Sequence, residues 1–333
     1  MIIGNRPLHA ATTLVLDGQD LRGELLHEVI TVVAQARGEE LADLLGAARR
    51  IRLARLGRAV SLCAIVNARS GRCSENCAFC AQSSHFDTGA PCHPFLDHER
   101  ILDAARTMRA HGARRFGIVL SGLTPSREDF ERLRRAVRGV ADLGMLPDAS
   151  CGILSRARFE ELRSDGLHLY HHNLETARSF FPEICTTHDY EDDVQAVRDA
   201  LDAGLGVCSG GIFGLGESWE QRAELALTLR ELGVDSVPVN FLSPIPGTPM
   251  ERRPPLAPEE ALKIVALLRF ILPSAHLRIC GGRKTVFGPT RGLAPLEAGA
   301  SGLMIGDYLT TSGLDAAADR QGIRDAGWEI EDA

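Results

Sequence analysis

Short apolar runs alternate with amphipathic stretches eight times along most of this 333-residue chain. The runs Leu62–Val66, Phe116–Leu120, Leu146–Ser150, Leu167–His171, Gly206–Ser209, Ser236–Phe241, His276–Cys280 and Gly302–Ile305 have the length and character of buried strands. Between them, Glu99–His111, Arg127–Leu143, Tyr190–Ala203, Trp219–Leu232 and Pro258–Leu272 carry helical periodicity. Gly112, Gly144, Gly204 and Gly233 follow such segments closely, where a left-handed residue ends a helix. Strand and helix in strict alternation imply parallel strands joined by crossovers. Eight such units predict an α/β fold of the closed (β/α)8 TIM type rather than an open sheet. Residues 1–55, with Leu25, Leu26, Val29, Val32 and Val33, read as an N-terminal helical extension, residues 56–320 as the barrel and 321–333 as a C-terminal tail.

In such a barrel, chemistry sits where the strands end and in the loops that follow. Directly after the first strand comes Cys73-Ser-Glu-Asn-Cys77-Ala-Phe-Cys80, three thiols in a tight polar loop. Thiolates are the soft ligands that iron-sulfur clusters need, and three are one too few to saturate a four-iron cube. One iron would remain open to another ligand. Structural zinc is the bland alternative, but it usually pairs two C-x2-C or C-x2-C/His halves, and neither His85 nor Cys92 completes such a spacing.

Composition narrows the partners. A net charge of -7 and a pI near 5.9, without a basic run, argue against a nucleic-acid backbone as ligand. The longest apolar stretch is broken by Lys263 and Arg269, short of the roughly 18 residues that a membrane helix takes. The first 18 residues lack a signal-peptide pattern, and nine cysteines then suit a reducing cytoplasm, where thiols serve metals or redox chemistry.

Position makes other polar residues informative: Asn173 and Glu175 after the fourth strand, Cys208 in the fifth, Asn240 late in the sixth, Arg278 and Cys280 in the seventh. Residues two apart share a strand face, so Arg278 and Cys280 point the same way. Inward is expected, because a guanidinium among the outer helices would be buried unpaired, and Gly281-Gly282 leaves room above. Taken singly, each cysteine is equally a small buried hydrophobe. Gly210-Gly211 and Gly214-Leu-Gly216 resemble a phosphate cradle only superficially, since no G-x-G-x-x-G or following Lys-Ser/Thr is present.

The motif Cys73-x3-Cys77-x2-Cys80-Ala-Gln-Ser-Ser84 is joined by Tyr170-His-His-Asn-Leu-Glu-Thr176, Val207-Cys-Ser-Gly-Gly211, Gly214-Leu-Gly-Glu217, Ser236-Val-Pro-Val-Asn240 and Gly247-Thr-Pro249. Together, over about residues 60 to 310, they resemble the biotin synthase family of radical S-adenosylmethionine (SAM) enzymes. The resemblance implies that Cys73, Cys77 and Cys80 hold a 4Fe-4S cluster whose open iron takes SAM, with Phe79 among the cofactor contacts. It implies that Asn173 and Glu175 bind the ribose hydroxyls and that Asn173, Asn240 and His171 lie against the substrate, dethiobiotin. A sulfur-donating second cluster, catalytic roles for Cys208 and Arg278, an electron donor such as flavodoxin or ferredoxin, and a homodimer are implied as well.

The second cluster is where the chain departs from the family. Better-known members use three cysteines and one arginine for a 2Fe-2S cluster, and only Cys208 and Arg278 of that set are found here, with Gly117 and about Asp148 at the other positions. Cys151, Cys185, Cys208 and Cys280 are therefore the expected ligands of an auxiliary 4Fe-4S cluster, with 2Fe-2S the other possibility and Arg278 a donor to sulfide. Cys92 has no assigned role, and Cys63, within the first strand, reads as core. His171 replaces a family asparagine, and Asp193 an arginine that meets the SAM carboxylate, a task for which Arg283 or His188 stands in. Two other readings remain open: a relative with another substrate, such as a maturase or mutase, and a non-catalytic metal-binding sensor or scaffold.

Overall fold

The structure, a computed structural model, describes residues 6–331. Three helices, Arg6–Leu16, Gly23–Gln35 and Gly38–Leu56, lead into β1 (Ala59–Arg69). There follow β2 (Arg115–Leu120), β3 (Leu146–Ser150), β4 (Leu169–His171), β5 (Gly206–Cys208), β6 (Gly211–Phe213), β7 (Ser236–Phe241), β8 (His276–Ile279), β9 (Gly302–Met304) and β10 (Glu329–Ile330). These strands pair in parallel in the order β1-β2-β3-β4-β5-β7-β8-β9, and β9 returns to β1 by setting Gly302, Leu303 and Met304 against Ser61, Leu62 and Cys63. The sheet is closed, as the eightfold alternation predicts.

Two strands were not expected from the sequence. β6 is the continuation of β5 in the same stave, pairing with β7 in the same register after a break at Ser209-Gly210. Pro238 lies opposite the break and has no N–H to give to the ladder. At Gly210 a side chain would stand 2.1 Å from the Pro238 carbonyl oxygen, so the backbones meet there without one. β10 pairs with the first residues of β1, Ala59 and Val60, on the far side from the barrel mouth.

Helix ends follow local chemistry. The Ser126 side chain accepts from the Asp129 N–H, and Ser218 with Gln221 and Asp189 with Asp192 form reciprocal capping boxes. The helix Pro258–Ile271, the longest apolar run in the sequence, is buried at every position from Ala261 to Ile271 because the N-terminal helices cover it. Its two cations are absorbed there. Lys263 Nζ donates to the Ala34 carbonyl at 2.8 Å, and Arg269 donates to the carbonyls of Gly299, Leu272, Pro273 and Ala275. Among the described residues, no helix is long and apolar enough to cross a membrane.

The turn after β8 brings two backbones together at the mouth. Gly282 has φ +75°, and a Cβ there would meet the Phe241 carbonyl oxygen at 1.9 Å. Strain and overlap act together, so Gly282→Ala should lower stability by about 2 kcal/mol or more. Urea unfolding should show this as a lower midpoint at unchanged slope.

Candidate active site

A cavity of about 290 Å3 opens at the C-terminal ends of the strands. Its upper wall includes the loop after β1. That loop is fixed by its own backbone, with Cys73 N–H donating to the Gln82 carbonyl at 3.0 Å, Ser84 N–H to the Cys73 carbonyl at 2.8 Å and Cys80 N–H to the Cys77 carbonyl at 2.9 Å. Gln82 Oε1 accepts from Ser70 Oγ, the Gly71 N–H and Asn67 Nδ2, tying the loop to the end of β1. Cys73, Cys77 and Cys80 are free, half-buried thiols. They are not within 4.8 Å of one another, the spacing that ligands of a single ion would need. Burial, and then the charges of Cys73 and Glu175, push the Cys80 thiol up to about 11, and the hydrogen bond to Cys185 raises Cys77 further. Three spread thiols, two of them held protonated by their surroundings, fit a strongly cationic multi-iron centre and not one zinc ion.

The segment after β4 faces this loop. Glu175 sits at φ +61°, a conformation held by a bridge to Gly211, where a side chain would collide with the Glu175 carbonyl at 2.4 Å. Burial first, and then the Asp193 charge, raise the Glu175 carboxyl to about 8. Asn173 Nδ2 donates to Glu175 Oε2 at 3.3 Å, while Asn173 Oδ1 is buried with no partner. An orphaned acceptor beside a carboxyl that holds its proton fits a ligand with adjacent hydroxyls. His171 also lines the cavity, and burial lowers its pKa to about 4, so it is neutral at physiological pH. Phe79 lines the same wall and packs with Ile184, Leu215, Leu242 and Met250.

Asn240 is more committed than its sequence position suggests. Its Oδ1 accepts from the Gly281 N–H at 2.9 Å and Tyr308 Oη at 2.8 Å, and its Nδ2 donates to the Gly211 carbonyl at 3.1 Å. One N–H is left for a ligand. Tyr308, half-buried in the loop after β9, has no signature in the sequence, since an aromatic residue in a polar loop carries no local signal.

Deeper in the barrel, Arg278 and Cys280 do share the inward face, and Cys208 joins them. Arg278 Nε donates to Ser236 Oγ and Nη1 to Ser61 Oγ, each at 2.9 Å, so hydroxyls of β7 and β1 hold the buried guanidinium. Gly117 and Asp148 face the same cavity in register with each other, but Asp148 is spent on a two-bond pair with Arg115.

The four-cysteine set expected for a second cluster does not assemble. Cys151 is buried in the main apolar core, off the cavity. Cys185 lies on the far side of the cluster loop, its Sγ 3.8 Å from that of Cys77. Cys63, read as core from the sequence, is instead in the cavity and within hydrogen-bonding reach of Cys280. The signal for it was available. Cys63, Ile65 and Asn67 share a β1 face by period two, and the pairing of β9 with β1 turns that face inward beside β8. The stand-ins for the missing arginine also fail. Arg283 is locked to Asp319 and the Met304 carbonyl, and His188 lies between Glu75 and Asp193 outside the cavity.

Residues 68–229 match the radical SAM superfamily and residues 238–329 the Biotin and Thiamin Synthesis associated domain. A closed barrel with this cysteine loop at its mouth is that of a radical SAM enzyme. In fold it is similar to methylornithine synthase (PylB; TM-score 0.84, 20% identity, 96% of this chain and 97% of that one). The hydrogenase maturase HydG of Carboxydothermus hydrogenoformans is also similar (TM-score 0.79, 20% identity, 97% and 79%). In sequence it is 48% identical to the biotin synthase of Trichlorobacter lovleyi, over 99% of this chain and 98% of the relative, and 49% identical to that of Geotalea daltonii, over 92% and 94%. The chain belongs to the biotin synthase family.

The raised Glu175 carboxyl makes a pH test. Its folded pKa lies above the unfolded value near 4.5, so the unfolded chain has released a proton that the folded chain still holds between about pH 4.5 and 8. Stability from this group is complete below pH 4.5 and falls as pH rises through that window. Glu175→Gln should therefore be more stable than the parent at pH 7.5 and lose that advantage towards pH 4.5, as read from urea midpoints of the cluster-free chain.

Proposed function

We propose that the chain converts dethiobiotin to biotin, with the cluster loop and the barrel floor as two separate iron-sulfur sites. The carrying observation is the placement of Cys63, Cys208, Cys280 and Arg278 together at the floor of a cavity whose mouth bears Cys73, Cys77 and Cys80. When bound, the cluster at the mouth with SAM supplies a radical that removes substrate hydrogen, and the floor cluster supplies sulfur.

The chain's own residues position, shield and select. Asn173 Oδ1 and Glu175 receive the ribose hydroxyls, and Phe79 closes the wall with apolar surface. The free Asn240 N–H reaches a ureido carbonyl, and neutral His171 offers a hydrogen bond without charge. Tyr308 and Gly281 hold the Asn240 amide in one orientation, which fixes the substrate relative to the floor. Three thiols and Arg278 suit either a four-iron or a two-iron auxiliary cluster, since the fourth thiolate that favoured four irons is not at the floor. The reducing cytoplasm, a flavodoxin- or ferredoxin-like electron donor and a homodimer belong to this proposal through the family resemblance alone.

Iron and acid-labile sulfide per chain after anaerobic reconstitution test it. About eight irons support a four-iron floor cluster and about six a two-iron one, whereas about four contradict any second site. Cys63→Ala and Cys280→Ala should lose the second set of irons, keep SAM cleavage to 5'-deoxyadenosine and form no biotin. Cys151→Ala should keep full iron content. Cleavage without biotin in the parent chain, fully loaded and given dethiobiotin, would favour a different substrate.

A further inference from the structure

Behind the cluster loop, on the side away from the cavity, Glu75, Cys185 and His188 bring one ligand atom each within 4.8 Å of the others. Cys77 Sγ lies 3.8 Å from Cys185 Sγ but does not belong to this group. We propose that in the cluster-free chain Glu75, Cys185 and His188 bind a single divalent cation of borderline softness, Zn2+ or Fe2+, with water as its fourth ligand.

The spacing is that of ligands around one ion. A metal-sulfur bond of about 2.3 Å and a metal-nitrogen bond of about 2.0 Å place a thiolate and an imidazole nitrogen about 3.5 Å apart. Cys185 Sγ and His188 Nδ1 are 3.4 Å apart. Glu75 Oε2 and His188 Nδ1, at 2.7 Å, share a hydrogen bond and would separate by about 0.7 Å once the proton between them is displaced. A thiolate, an imidazole and a carboxylate are a donor set for Zn2+ or Fe2+ rather than for Mg2+ or Ca2+.

A second, independent feature points the same way. His188 Nε2 lies 3.2 Å from Asp193 Oδ2, and Asp193 Oδ1 is 2.7 Å from His172 Nε2. A carboxylate that accepts from the remote ring nitrogen keeps the near nitrogen free for metal and orients the ring. Thr187 Oγ1 donates to Glu75 Oε2 at 2.6 Å, and Asn76 holds the Cys185 loop through the Thr186 N–H and hydroxyl, so ligands from distant segments are already brought together. The site's use would be to hold one cation at the loop before a cluster forms.

Co2+ is the probe, added to the full-length chain freed of clusters. The expected result is one Co2+ per chain with tetrahedral ligand-field bands and thiolate charge transfer, retained in the Cys73→Ala/Cys80→Ala chain and lost in Cys185→Ala. Asp193→Asn should weaken binding about 10- to 100-fold. Loss of binding in the double variant, no binding in the parent, or an unchanged spectrum in Cys185→Ala would each overturn the proposal. If circular dichroism shows that Cys185→Ala has lost its fold, His188→Gln and Asp193→Asn decide instead. The Co2+ arms can fail without touching the proposed reaction.

Discussion

The parallel pairing of β9 with β1 turns a sheet into an enclosure, and the chemistry of the interior depends on that closure. It places Cys63 against Met304 and leaves β8, with Arg278 in it and Cys280 just past its end, one strand away. Closure also explains how a guanidinium is tolerated in the lumen. Ser236 comes from the neighbouring β7, whereas Ser61 comes from β1, beyond β9, and meets Arg278 only because the barrel is complete. An open sheet would carry Ser61 to the opposite edge and leave the buried cation short of one partner.

The same enclosure separates two kinds of work. At the mouth, loops of irregular backbone hold groups in costly states, among them Glu175 in a left-handed conformation with its carboxyl pushed up to about 8. The surrounding structure over-determines that state through Gly211, which cannot bear a side chain. At the floor, groups sit on regular strands whose positions the ladder fixes. A ligand spanning mouth and floor therefore meets groups held by loops at one end and groups held by strands at the other.

Much of this was legible in the residues because parallel barrel strands are buried on both faces and read as unbroken apolar runs. All eight staves fall within a few residues of where those runs lie, and β7 coincides with its run. The break between β5 and β6 was not legible, because it is imposed by Pro238 on a neighbouring strand. The cysteines divide in the same way. The direction of Arg278 and Cys280 followed from strand period, but the companions of Cys208 depend on which strands become neighbours and on how the segment from Asn173 to Asp189 folds back. That fold carries Cys185 to Cys77, which local pattern does not contain, whereas the inward turn of Cys63 follows from strand period once β9 pairs with β1.

The central claim is that the barrel floor is a second iron site built from Cys63, Cys208, Cys280 and Arg278. Anomalous diffraction at the iron edge, from crystals of the anaerobically reconstituted chain, would locate every iron directly. The account predicts two separated peaks, one at Cys73, Cys77 and Cys80 and the other against Cys63, Cys208 and Cys280. A single peak at the loop, or a second one at Cys151 or Cys185 with the floor thiols free, would contradict it.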